Sequence, residues 1–136
     1  MAVFNKFDSF VEAVAEKVHD LGADQLTLAL TNTAPTAANT QLSDITQIAY
    51  TNLSTRNITR TSSAQSAGLY KLVVADTTLT STGGSTGPFR YVVVYNSTAA
   101  GGPLIGWYDY GSSITLLTGE SLTVDFDQTN GLLTLQ

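Results

Sequence analysis

From Gln25 onward, short runs of strand-forming residues recur at roughly ten-residue spacing and are separated by Gly, Asn, Ser and Pro, a rhythm that points to an antiparallel β-sandwich or barrel-like domain. The strongest run is 89–95 (Phe-Arg-Tyr-Val-Val-Val-Tyr). It is β-branched, aromatic and nearly continuously apolar, which predicts a central strand covered on both sides. Leu26, Leu28 and Leu30 alternate with Thr27, Ala29 and Thr31, which predicts a half-buried strand. Arg56, Ile58 and Arg60 alternate with Asn57, Thr59 and Thr61. A turn-like break over 62–68 then leads into a strand-rich stretch over 69–79, so a hairpin or an adjacent pair is expected. Residues 81–88 (Ser-Thr-Gly-Gly-Ser-Thr-Gly-Pro) read as a flexible, exposed loop tip. Further strands are predicted over 104–110, 114–117 and 122–126, and Asn130-Gly131 between apolar runs predicts a final hairpin.

The N-terminal segment has a different period. Phe7, Phe10, Val11, Val14, Val18 and Leu21 recur at spacings of three and four and fall on one stripe of an amphipathic helix, over about 8–21. Ser9 and Glu12 fit a capping box, and Gly22 stands where a left-handed C-terminal cap belongs. The stripe is wide enough to cover one face of the chain's own sheet. After a Thr/Ala/Pro connector, 42–49 is expected to hold a short helical turn capped by Ser43 or Asp44. Residues 1–136 read as one domain, a helix plus a β-rich body over 25–136, with no fixed-period repeat.

Composition narrows the function. The chain has no cysteine, which removes disulfides, thiolate metal sites and cysteine nucleophiles together. Only 12% of residues are charged, whereas Ser and Thr make up about a quarter, so the polar faces are mostly hydroxyl. A net charge of −5 with six Lys and Arg argues against nucleic acid as a partner. No signal-like apolar region opens the chain and no window reaches membrane-spanning length, so cytosolic synthesis without membrane insertion is expected.

Chemistry-bearing residues are sparse. His19 is the only histidine, read as a cation in the last helical turn beside Lys17. No Gly-x-Ser-x-Gly elbow accompanies it, so neither an enzyme nor a cofactor or metal is expected. Asp125 and Asp127 read as a solvated strand face with Leu122, Val124 and Phe126 turned inward. In the 104–110 strand, Ile105 and Trp107 are expected on one face and Tyr108 and Tyr110 on the other, which favours core packing of Trp107 over a sugar-stacking platform. Arg56 and Arg60 share a predicted strand face, open either to an acidic partner surface or to the chain's own acids. The sequons at Asn52, Asn57 and Asn96 arise readily in a hydroxyl-rich chain.

Several segments, in order, carry a resemblance: residues 7–22 (Phe-Asp-Ser-Phe through Asp-Leu-Gly), 28–35 (Leu-Ala-Leu-Thr-Asn-Thr-Ala-Pro), 87–91 (Gly-Pro-Phe-Arg-Tyr), 103–114 (Pro-Leu-Ile-Gly-Trp-Tyr-Asp-Tyr-Gly-Ser-Ser-Ile) and 123–127 (Thr-Val-Asp-Phe-Asp). Together they resemble a family of small β-rich virion structural proteins of tailed bacteriophages. The resemblance implies a particle component made in the host cytoplasm. Small size, acidity and absence of cysteine suit a capsid decoration, or cement, protein on the outer capsid surface, with the major capsid protein lattice as partner. Such proteins clamp neighbouring subunits through repeated weak contacts, and a homo-oligomer is expected, a trimer first and a dimer second. A tail or neck component is the nearest alternative and a carbohydrate- or receptor-binding module the next. Candidate interface residues are Phe4, Phe7, Arg56, Arg60, Tyr108 and Tyr110.

Overall fold

A computed structural model describes residues 2–136. With 47% strand and 7% helix the protein is mainly β, its strands pair antiparallel, and the one α-helix among the described residues lies near the N-terminus. The elements are β1 (Phe4–Lys6), α1 (Ser9–Ala15), β2 (Leu26–Thr31), β3 (Arg60–Ser66), β4 (Leu69–Val74), β5 (Thr77–Thr80), β6 (Thr86–Asn96), β7 (Leu104–Leu116), β8 (Ser121–Val124) and β9 (Leu133–Leu135). They form a four-stranded sheet of order β1-β7-β6-β2, a three-stranded sheet β3-β4-β9 and a two-stranded ribbon β5-β8.

The arrangement is sandwich-like. One face of the four-stranded sheet presents Leu28, Leu30, Val92, Val94, Ile105 and Tyr108 to Leu72 and Val74 of β4, Leu79 of β5 and Val124 of β8. Its other face carries Ala29, Val93, Tyr95 and Leu104, covered by Phe7 and Ile45. Both faces are covered over residues 92–95, which is why that part of β6 reads as a continuous apolar run. It also corrects the half-buried reading of β2, in which all six residues are buried. Each large apolar side chain withdrawn from water contributes about 1.5–3 kcal/mol, so this double burial dominates the fold's stability.

Several boundaries differ from the sequence reading. The helix ends at Ala15 rather than near 21, because Lys17 takes the left-handed conformation (φ 65°). The Val18 N–H then bonds to the Ala13 carbonyl at 2.9 Å and the Lys17 N–H to the Val14 carbonyl at 3.3 Å, a Schellman stop without glycine. Gly22 is outside the left-handed region, and no side chain caps the helix start. The turn lets Phe10 and Leu21 enter the core while Val11 and Val18 stay exposed. The segment still packs on its own sheet. The helical turn expected over 42–49 shrinks to one 3-10 turn, Leu42–Asp44, held by the Asp44 carboxylate accepting from the Thr40 and Gln41 N–H groups at 2.9 and 3.2 Å.

Residues 62–66 belong to β3, and the true hairpin turn is Ala67-Gly68, both at positive φ (51° and 83°), the type I′ geometry. The 69–79 stretch breaks into β4 and β5, whereas the predicted strands at 104–110 and 114–117 are one strand, β7. The 81–88 loop is tied down at both ends, since buried Ser81 and Thr86 share a hydroxyl pair at 2.8 Å. Asn130-Gly131 is not a hairpin apex. β8 pairs with β5 and β9 with β4, so the turn hands the chain from one sheet to another.

Candidate interaction surface

The six residues singled out as an interface have separate fates. Phe7 is fully buried and Tyr108 is 5% exposed, so both are core residues and neither offers a contact surface. The reason is β1: by pairing Phe4 opposite Tyr108 and Lys6 opposite Gly106, it closes the edge of β7 and carries the chain into position to bury Phe7. Phe4 packs on Tyr108 with ring centroids 5.1 Å apart, and Tyr108 meets Phe126 edge-on at 6.0 Å. Burial pushes the Tyr108 hydroxyl well above its ordinary range, and Tyr110 shifts the same way.

Trp107 is half-buried on the opposite face, its ring 4.6 Å from that of Phe7. Ile105 is not on its side. Between the pairs Val94↔Gly106 and Tyr95↔Leu104, β7 carries one residue more than β6, a bulge that turns Ile105 to the Tyr108 face. Strict alternation fails at this residue.

Arg56 and Arg60 do not form a basic strand face. Arg56 lies before β3, its guanidinium 3.7 Å over the Tyr50 ring and donating to the Leu28 carbonyl. Its partners are an aromatic face and a backbone oxygen of its own chain. Tyr50 is fixed in turn, accepting from the Leu30 N–H at 2.9 Å and donating to Gln47 Oε1 at 2.8 Å. Arg56→Ala is expected to lower stability by about 1–2 kcal/mol, and Arg56→Lys to recover only part of that, because an ammonium neither stacks nor forks like a guanidinium. Urea unfolding of the two variants measures the difference. Arg60 is exposed and donates to the Asp24 carbonyl at 3.3 Å.

Asp109 makes a two-pronged pair with Arg90, at 2.7 Å to Nε and 3.0 Å to Nη2, which holds its carboxyl below the usual range. Asp125 is exposed, but it lies just past the end of β8 and not on the strand face expected for it. Asp127 instead organises the turn before β9, its carboxylate accepting from the Asn130 and Thr129 N–H groups at 2.7 and 3.0 Å, and these donors lower its pKa. No cluster of His, Asp and Glu suited to a metal ion occurs among the described residues. None of their helices is long and apolar enough to cross a membrane.

Apolar side chains line a groove of about 440 Å³ between α1 and β9, with Phe4, Phe10, Val11, Val14, Leu133 and Leu135 among its walls, while Val3, Val18 and Leu117 are exposed singly outside it. Phe4, alone of the six predicted residues, reaches it. Val11 is 58% exposed and Leu135 37%, both at positions read from sequence as inward-facing or unremarkable. Within α1, Phe10 and Val14 take the core side and leave Val11 outside. Beside the groove, β9 continues into β4 and the hydroxyl-rich β3, whose Ser and Thr side chains are mostly in water. The β5-β8 ribbon adds exposed cross-strand pairs, Thr78 with Thr123 at 3.0 Å and Thr80 with Ser121 at 2.7 Å.

Comparison with family models, with curated proteins and with solved structures finds no match to this chain.

Proposed function

We propose that this protein is a structural component of a tailed-bacteriophage virion, a capsid decoration protein that docks on the outside of the head lattice as a homo-oligomer and performs no catalysis. The segments resembling small virion proteins support this reading, and the observation that carries it is the exposed apolar groove between α1 and β9, at the edge of a sheet whose far strand β3 is hydroxyl-rich. Apolar surface of that kind on a soluble protein marks a contact site. Short hydroxyl side chains around it form many weak hydrogen bonds without the desolvation penalty of charges, which suits a contact repeated across a symmetric lattice.

The test is rebinding. Purified protein added to expanded heads lacking it is expected to bind in a regular array and restore their resistance to heat, while Val11→Asp, placed in the groove wall, folds normally and fails to bind. Absence of rebinding counts against the proposal. Density at the tail or neck in a cryo-EM map of the particle would move the protein there, and hits on a glycan array would favour the carbohydrate-binding alternative.

A further inference from the structure

The segment leaving α1 brings the chain's single histidine inside. His19 is 7% exposed and lies beyond the helix, not in its last turn. Its neighbour Asn96, the last residue of β6, is completely buried and has its amide orientation dictated by its surroundings. Asn96 Oδ1 accepts from the Thr98 and Ala99 N–H groups at 3.0 and 3.1 Å, which makes the other end of the amide the –NH2. That –NH2 donates to Asp24 Oδ2 at 2.6 Å and faces His19 Nδ1 at 3.1 Å. An amide –NH2 cannot accept, so Nδ1 is the acceptor and the neutral ring carries its proton on Nε2. Nε2 is buried and meets no partner. A second proton would have to sit on Nδ1, pointing at hydrogens.

We propose that His19, Asn96 and Asp24 form a proton-operated latch between the segment after α1 and the turn after β6, closed while the imidazole is neutral and opened when Nδ1 is protonated. The same seam holds the backbone bond from the Ser97 N–H to the Gln25 carbonyl at 2.9 Å and the bond from the Gln25 N–H to Thr98 Oγ1 at 2.8 Å, so the latch guards a joint and not an isolated side chain. On opening, the imidazolium competes with Asn96 for the Asp24 carboxylate. Asn96 must then turn, and the Thr98 and Ala99 N–H groups lose their acceptor.

The groups facing His19 from each side set the balance. Its own segment supplies Lys17 and Asp20, β3 supplies Ser63, β4 supplies Tyr70 and β9 supplies Leu135, all around one open cavity. The Ser63 and Tyr70 hydroxyls are paired with each other at 2.8 Å. α1 lays the Phe10 ring 5.4 Å away. Arg60 binds the backbone of Asp24 and adds positive charge there. Burial disfavours the imidazolium more than Asp24 favours it, and the His19 pKa lies below its ordinary 6.5. Below that pH the unfolded chain therefore binds more protons than the folded one, and stability falls as pH drops until the folded-state pKa is passed. Asp24 stays ionised throughout this window, because the Asn96 amide and the Asp20 N–H hold its carboxyl below 3.8.

With one histidine, the imidazole resonances report a single site. NMR at pH 7.5 is expected to show the Nε2–H tautomer, a titration midpoint below 6.5, and Asn96 side-chain, Thr98 and Ala99 amide shifts moving with that same midpoint. The folding equilibrium constant is expected to fall as pH drops below about 6.5 until the folded-state midpoint is passed, by up to tenfold per pH unit. His19→Asn presents an amide oxygen near the place of Nδ1 and is expected to flatten the profile in that window. An Nδ1–H tautomer, a midpoint at or above 6.5, or Thr98 and Ala99 amides that ignore the titration would overturn the latch. Should His19→Asn fail to fold, the wild-type titration decides alone.

Discussion

Phe7→Ala is expected to destabilise the protein by about 3–5 kcal/mol, a large part of the roughly 5–15 kcal/mol that holds a typical domain folded. Phe7 is fully buried beneath Val93, Tyr95 and Leu104 on the second face of the main sheet, and its ring packs at a tilt against Trp107. Removing the ring leaves a cavity against Ala29, Val93 and Leu104, whose strands are held by their ladders and cannot close over it. Because Trp107 is the one tryptophan, its fluorescence reports the lesion directly. Urea unfolding followed at that signal should show the midpoint fall with an unchanged slope, while Val11→Ala, at an exposed position, stays within about 0.5 kcal/mol of wild type. Near-equal losses in the two variants would mean that Phe7 does not anchor this layer.

The second large effect is expected at Gly106. A Cβ there would lie 2.6 Å from the Asn5 carbonyl oxygen and 2.6 Å from Phe4 Cε2, both nearer than real side chains approach. Gly106 is what lets β1 lie against β7. Gly106→Ala is expected to lose about 2–3 kcal/mol through overpacking. Phe4→Ala in the same chain should recover part of the loss by clearing the ring, leaving the backbone clash with Asn5, so the two changes will not add. Hydrogen exchange locates the damage: amides of β1 should lose protection while those of β2 keep theirs. Unchanged protection in β1 would show that the strand shifts to accommodate the methyl.

What the sequence could reveal was set by how local each cause is. Residues 89–95 announce a buried strand because β-branched and aromatic side chains favour extended backbone wherever both faces are covered. Leu26, Leu28 and Leu30 give the strand but hide its burial, since Thr27 and Thr31 look like solvent positions until a second layer covers them. The helix stop at Lys17 carries no glycine, and the bulge at Ile105 is marked only by Gly106 beside it, a residue that the close approach of β1 also requires. Asn130-Gly131 is a true turn whose flanking strands find partners elsewhere. The same distance explains the surface. Phe7 and Tyr108 looked available for contact because nothing nearby in sequence buries them, and Arg56 looked free because Tyr50 and the Leu28 carbonyl meet it only in three dimensions. The groove needs α1 and β9, from opposite ends of the chain, before it exists.

Strand β1 bonds to a partner 102 positions away, from Asn5 to Trp107, and this sets a clock on synthesis. At about 5–20 residues per second, a ribosome makes that partner roughly 5–20 s after β1. During that interval Phe4, Phe7 and Phe10 are made without the later strand that shelters them. The nascent 4–10 segment is thus a natural place for a chaperone to engage, and for neighbouring nascent chains to stick together if none does.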